Sequence, residues 1–275
     1  MQKEKIKVSG VKFDNIELTE AANKAIDLAK SNHQHILSTP NPEMLLESRN
    51  NPKFKNILNS SDINIPDGIG ILWAAKFLRI TNKNRSNIVK GLKWIFSLGT
   101  IIFYSKYIRG VLKNRVTGVD LMEKICEESA HEKLKIFLLG AREGIAEKTK
   151  EKLEKKYKSL KICGTLSGTP KEKDEFKIIK EINNSRPDIL FVAYGAPAQE
   201  IWIRRNITKI PSVRLAVGVG GAFDFLSEHK KRAPRILQKI GMEWLYRLIK
   251  EPRRIKRIYN AIIKFPIQIL KDGLK

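Results

Sequence analysis

Cysteine is scarce in this 275-residue chain: only Cys126 and Cys163 occur, and neither belongs to a CxxC. That argues against a disulfide framework or a structural zinc site and fits a reducing compartment. No apolar run approaches the about 18 residues that would suggest a transmembrane helix. The opening MQKEKIKVSG has no apolar core of the signal-peptide kind, so no secretory signal is expected. His33, His35, His131 and His229 show no HExxH or other ligand spacing, and no GxSxG nucleophile elbow appears. Asp-x-Asp, the pair that holds a diphosphate through a cation, is also missing. Neither a metal nor a cofactor is expected, so any departing diphosphate would have to be neutralised by arginine.

Acidic residues are the other shortage, and it is local. The net charge is +24, yet residues 79–115 hold nine Lys/Arg and no Asp/Glu, and residues 230–275 hold fourteen Lys/Arg and three Asp/Glu. These two segments carry +20 of the total, leaving a nearly neutral body. Concentrated positive charge suits a polyanion, either nucleic acid or an anionic lipid surface. A solvated lysine-rich face is the plainer alternative.

The body alternates short β-branched runs with helical patterns. Residues 6–13 suggest a strand or hairpin, 17–32 a helix, 34–39 a strand, 41–58 a helix, and 62–66 a short strand before a helix over 68–78. Beyond the first basic segment, helices are expected at 118–132, 142–157 and 171–185, and strands at 135–140, 160–166, 188–195 and 213–220. The last two strands are almost wholly apolar runs ending in glycine, a pattern of burial on both faces. Strand and helix in alternation indicate βαβ units, so the fold class is α/β: a Rossmann-like parallel-sheet core with helices on both faces. The expected organisation is a core over 1–229, with a basic apolar insertion at about 80–113, and a basic helical appendage over 230–275 that associates with membrane.

Ligands of parallel sheets collect beyond the carboxyl ends of the strands, and four sets of residues fall there. Thr39 and Asn41, in Thr-Pro-Asn-Pro, could orient a sugar or phosphate, or simply cap the next helix. Asp67, before Gly68, could act as a general base on a sugar hydroxyl, or as a cap. Gly140 and Arg142 follow the KIFLL strand and could bring backbone N–H groups to a phosphate, although the GxGxxG spacing is incomplete. Gly195 with Gln199, and Gly218 and Gly220 with Asp224, offer turns and polar groups for a base or ribose; tight strand–helix packing would also select glycine there.

Together the pieces resemble the WecG/TagA/CpsF family of glycosyltransferases. They run in order as TPNPEML (39–45), PDGIGI (66–71), RVTGVDL (115–121), FLLGAREG (137–144), PDILFVAYGAPAQEIWI (187–203), GVGGAFDF (218–225), RAP (232–234) and GMEWLYRLIKEPRRIKR (241–257). The resemblance implies metal-independent, inverting transfer of N-acetylmannosamine or a related sugar from a UDP donor. The implied acceptor is N-acetylglucosamine on undecaprenyl diphosphate, in cell-surface polysaccharide or teichoic acid synthesis. It places the protein in the cytoplasm, peripheral on the inner face of the cell membrane. Carried over by position, Asp67 is the general base, with Thr39 and Asn41 lining its cleft. Arg115 approaches a phosphate, and Gln199 with the glycine turns binds UDP. Arg247, Arg254 and Arg257 fall on one helical face if the helix runs through Pro252, where they could neutralise departing UDP or meet lipid headgroups.

Two departures stand out. Ser227-Glu228 occupies a place where similar sequences usually have Ala-Gly, which bears on the loop's conformation. The stretch 80–113 replaces a much shorter link. Its uncharged part, Trp94 to Ser105, is too short to span a bilayer, which takes roughly 20 residues. Trp94, Phe96, Phe103 and Tyr104 suit an interface, so an in-plane anchor is expected, with a helical hairpin packed on the body or on a partner subunit as the alternative. The helical pattern over 250–273 could pack on lipid or within a homo-oligomer. A nucleic-acid-binding protein and a non-catalytic nucleotide-binding regulator are the competing classes. The basic segments carry apolar residues at helical spacing rather than a base-stacking set, so no nucleic acid partner is expected.

Overall fold

A computed structural model describes residues 5–82, 86–234, 237 and 243–274; the side chains of residues 102, 103 and 105 fall outside this description. Gly241 and Met242 of the tail motif, and the side chain of Phe103, therefore lie outside the described residues.

The core is a six-stranded sheet of β3 (His35–Ser38), β4 (Ile63–Asn64), β5 (Lys135–Gly140), β6 (Lys161–Leu166), β7 (Ile189–Ala193) and β8 (Leu215–Gly218), in the order β4-β3-β8-β7-β5-β6. Every pairing is parallel. An antiparallel hairpin, β1 (Ile6–Val8) and β2 (Val11–Phe13), stands apart. The central strands are apolar on both faces, and alternate residues enter two different cores. Ile136, Leu138, Phe191 and Val217 face helices α1 (Leu18–Ala29), α7 (Gly118–Glu132), α8 (Ile145–Lys156) and α11 (Ala222–Leu226). Phe137, Leu139, Val192 and Ala216 face α9 (Glu172–Ser185) and α10 (Ala198–Asn206). Helices therefore cover both faces, as the unbroken apolar runs require.

Residues 41–58 form two helices rather than one: α2 (Pro42–Asn50) and α3 (Pro52–Asn59). The break follows from Asn51-Pro52. Pro52 cannot continue α2, since its ring displaces an interior hydrogen bond, but it suits the first position of α3. Asn51 caps α3 by accepting from Phe54 N–H at 3.0 Å.

A third core lies beside the sheet. It joins the hairpin, α2, α3, α4 (Ile69–Thr81), the inserted segment and the chain's end. The insertion forms α5 (Asn87–Phe103) and the short α6 (Ser105–Ile108). Along α5, Trp94, Leu98 and Ile101 pack inward, while Ile88, Leu92, Ile95 and Phe96 stay exposed. Trp94 Nε1 donates to the Pro266 carbonyl at 3.0 Å, and the Trp73 indole donates to Ser97 Oγ at 2.9 Å. The tail contains a helix, Glu243–Lys250, then a helical run from Pro252 to Leu274 in which Phe265 and Ile269 are buried. No helix of the described residues is long and apolar enough to cross a membrane.

Candidate active site

The loops beyond β3, β4, β7 and β8 converge on one cavity of about 560 Å³. Thr39 and Asn41 reach it from β3, Asp67 from β4, Gly195 and Gln199 from β7, and Gly220 from β8. The tail closes over them, contributing Arg232, Glu243, Trp244, Arg247, Arg254 and Arg257. Sequence neighbours did not gather these groups; the parallel order of the strands did.

Asp67 sits where the chain leaves β4. Its N–H donates to the Pro40 carbonyl at 3.0 Å, tying it to the Thr39–Asn41 loop. The side chain does not cap α4: Gly68 holds that position, without a side-chain cap. Gly68 has φ +133°, a conformation essentially reserved for glycine, and an added Cβ would lie 3.2 Å from Pro42 Cδ. The glycine thus lets the chain turn sharply enough for the carboxylate to face the cavity. Burial pushes the Asp67 carboxyl above its ordinary value. Arg115 and Arg247 pull it back, Glu243 pushes it further up, and the Gly118 N–H favours the charged form. Asn41 does cap a helix, accepting from Met44 N–H at 3.0 Å, and it also lines the cavity. Capping does not take Asn41 out of the cavity wall.

Five arginines and three carboxylates line this cavity, and ion pairs hold the arginines in place, three of them tying distant segments together. Glu243, almost fully buried, takes Arg115 Nη2 at 2.7 Å on one oxygen and Arg247 on the other. Burial works against its charge, but Arg247 and Arg115 outweigh that and hold the carboxyl below the usual range. Arg257 grips Glu43 of α2, with Nη2–Oε2 at 2.7 Å and Nε–Oε2 at 2.9 Å. Arg254 pairs with Glu251 at 2.7 Å, and Arg232 reaches Asp120 of α7 through two nitrogens. Glu243 was not singled out from the sequence. A lone carboxylate in a basic amphipathic helix looks like an ordinary surface charge until its two partners are seen.

Arg247, Arg254 and Arg257 do not share a continuous helix. The first helix ends at Lys250 and a 3-10 turn occupies Pro252–Arg254, because proline at 252 interrupts the hydrogen-bond ladder. All three nevertheless line the cavity, brought there by the bend.

The remaining expected residues divide. Gln199 is buried, and its Oε1 accepts from Gly195 N–H at 3.0 Å and Gly220 N–H at 2.9 Å. It staples the β7 and β8 turns together. Gly140 and Gly218 serve close packing: an added Cβ would meet Ala193 at 3.0 Å and Gln199 Nε2 at 2.7 Å respectively. Arg142 and Asp224 line a second, smaller cavity of about 250 Å³ with Tyr194, Gly220 and Gly221. The two cavities share Gly220 and Gly221, so they adjoin. Asp224 also pairs with Lys230 at 2.9 Å. Glu228, in the place where glycine is usual, takes the left-handed conformation itself, at φ +58°. The turn is thus kept at some strain, with the exposed carboxylate against Lys152.

The family profile described as "Glycosyl transferase WecG/TagA/CpsF family" matches residues 6–100 and 88–275. The chain belongs to this family. It is a glycosyltransferase family, and the cavity residues fall within the matched ranges. The two matched stretches overlap over residues 88–100, inside α5. A Bacillus spizizenii protein named N-acetylglucosaminyldiphosphoundecaprenol N-acetyl-beta-D-mannosaminyltransferase is 30% identical over 233 residues, covering 85% of this chain and 77% of the relative. A Bacillus subtilis protein of the same name is 30% identical over 237 residues, covering 86% of this chain and 79% of the relative. Among the described residues no group of three or more His, Cys, Asp and Glu could hold a metal ion.

Proposed function

We propose that this protein transfers N-acetylmannosamine, or a closely related sugar, from a UDP donor to N-acetylglucosamine carried on a polyprenyl diphosphate. The observation that carries the reading is Asp67, a half-buried carboxylate at a strand end whose pKa is shifted upward by desolvation, set among five arginines. Two adjoining cavities suit two substrates. The donor nucleotide lies across the smaller one, near Arg142 and Asp224, with its sugar directed over Gly220 toward Asp67. The acceptor enters the larger one.

In the reaction Asp67 takes the proton from the acceptor hydroxyl. The hydroxyl oxygen bonds to the anomeric carbon from the face opposite the diphosphate, giving inversion. The carbon–oxygen bond to the diphosphate breaks and its electron pair leaves with UDP. A base is most effective when its pKa lies near the working pH, so a burial-raised aspartate suits the task. Arg115 and Arg247, fixed by Glu243, neutralise charge growing on the leaving diphosphate, and such fixed groups need no reorganisation as the charge develops. Thr39 and Asn41 orient the reacting sugar.

The acceptor is lipid-linked, so the enzyme works at a membrane surface. The exposed apolar residues of α5 and the +20 held in two segments support peripheral attachment to anionic lipid.

The decisive test is transfer by Asp67→Asn onto a synthetic polyprenyl-diphosphate acceptor, with product mass as readout across a panel of UDP-sugars. General-base loss should lower kcat by about 10²–10⁴-fold while UDP binding persists. A variant that transfers at the wild-type rate would remove Asp67 from the role.

A further inference from the structure

The larger cavity is chemically two-sided. One part is lined by arginines and Asp67; the other is apolar, walled by Trp73, Leu98, Ile101, Ile258, Ile262 and Pro266. A nucleotide-sugar is polar throughout and has no use for such a wall. A ligand that continues from a diphosphate directly into hydrocarbon does.

The tail run shows the same order along one strip. Arg254 is followed four residues on by Ile258 and eight on by Ile262, while Arg257 is followed by Ala261; all five line the cavity. One helical turn rises about 5.4 Å, so guanidinium passes to aliphatic side chain within one or two turns. The facing wall, Leu98 and Ile101, comes from α5, the helix in which the two family matches overlap. Both wall helices also carry an outward apolar stripe: Ile88, Leu92, Ile95 and Phe96 on α5, and Ile255, Tyr259, Ile263 and Ile267 on the tail.

We propose that the apolar end of this cavity is a binding subsite for the diphosphate-proximal isoprene units of the acceptor, with the inserted α5 as one wall and the tail run as the other. This rests on the acceptor reading above and adds to it a residue-level site for the lipid chain. Arg254 and Arg257 hold the acceptor diphosphate at the polar boundary, and the hydrocarbon runs between Leu98 and Ile262. The outward stripes keep both walls against the bilayer from which the chain is drawn.

The test compares two acceptors with the same diphospho-N-acetylglucosamine head, one on a long polyprenyl chain and one on a single isoprene unit, using the full-length protein. The double variant Leu98→Asn/Ile101→Asn removes one wall. Ala261→Phe fills the space instead, and guards against a folding failure in the first variant. Each should lower the ratio of kcat/KM for long over short acceptor by about tenfold or more, the scale of a lost apolar pocket contact. A ratio within twofold of wild type in both variants overturns the proposal.

If the wild type transfers to neither acceptor, the catalytic reading fails, but the subsite is still decided by titration with sugar-free polyprenyl phosphate. A saturable tryptophan fluorescence change, weakened in Ala261→Phe, supports it. No saturable change, or an equal change with phosphatidylglycerol bicelles, overturns it.

Discussion

Glu243→Gln tests the electrostatic argument most directly, because the substitution keeps the side chain's size and removes only its charge. In the native fold this carboxylate is 5% exposed and holds two guanidinium groups, Arg115 at 2.7 Å and Arg247. Removing one partner of a fully buried pair costs roughly 3–5 kcal/mol. Arg247 is about a third exposed and the glutamine oxygen still accepts hydrogen bonds, so solvent reduces the loss to about 2 kcal/mol. That corresponds to roughly 4–8 °C in melting temperature for a domain of this general size. The second effect is on Asp67. Glu243 is a like charge that raises the Asp67 carboxyl, so its removal must lower that carboxyl's pKa. In the proposed mechanism Asp67 acts as base only when ionised, so activity would be lost as pH falls through its pKa. The acid limb of the kcat/KM profile should therefore move to lower pH in the variant. Scanning fluorimetry gives the first quantity and a pH–rate series the second. An acid limb that stays in place or moves upward would refute the proposed coupling between Glu243 and Asp67.

Further outcomes follow from the same geometry. Asp67 has a folded pKa above its unfolded one, so its contribution to stability is fully present below the unfolded value and is lost as pH rises through the folded value. Asp67→Asn should therefore gain stability relative to wild type as pH rises from acid to neutral; melting curves across that range check it, and a difference of opposite slope would contradict the burial argument. Gly68→Ala meets both the φ of +133° and the 3.2 Å approach to Pro42, and should lose about 1–3 kcal/mol along with most activity; chemical denaturation and a transfer assay measure both. Replacing Ile88, Leu92, Ile95 and Phe96 together by serine should weaken sedimentation with anionic vesicles severalfold while leaving the melting temperature within a few degrees, since all four are exposed. Unchanged vesicle binding would assign attachment to the tail alone.

The sequence by itself determined the local elements and the class of fold. Helix and strand are written in spacing between neighbours, and the helix at 118–132 and the strand at 135–140 occur with the expected bounds. Apolar runs without alternation required a sheet covered on both faces, and Ile136 and Phe137 do point into separate cores. It also located the ends of strands, and with them Asp67, Thr39 and Asn41, because in a parallel sheet those ends share one rim. Tertiary structure alone decided which charges meet. Arg115 and Glu243 are 128 residues apart, and Arg257 and Glu43 are 214 apart. No periodicity links such positions, since the pairing depends on the path of the tail across the sheet's rim. The same holds for Gln199, whose amide oxygen accepts from two turns, and for α5, whose two apolar faces read alike in sequence. One packs on the body and cavity while the other remains open, and only the docking of Trp94 against Pro266 sets which is which.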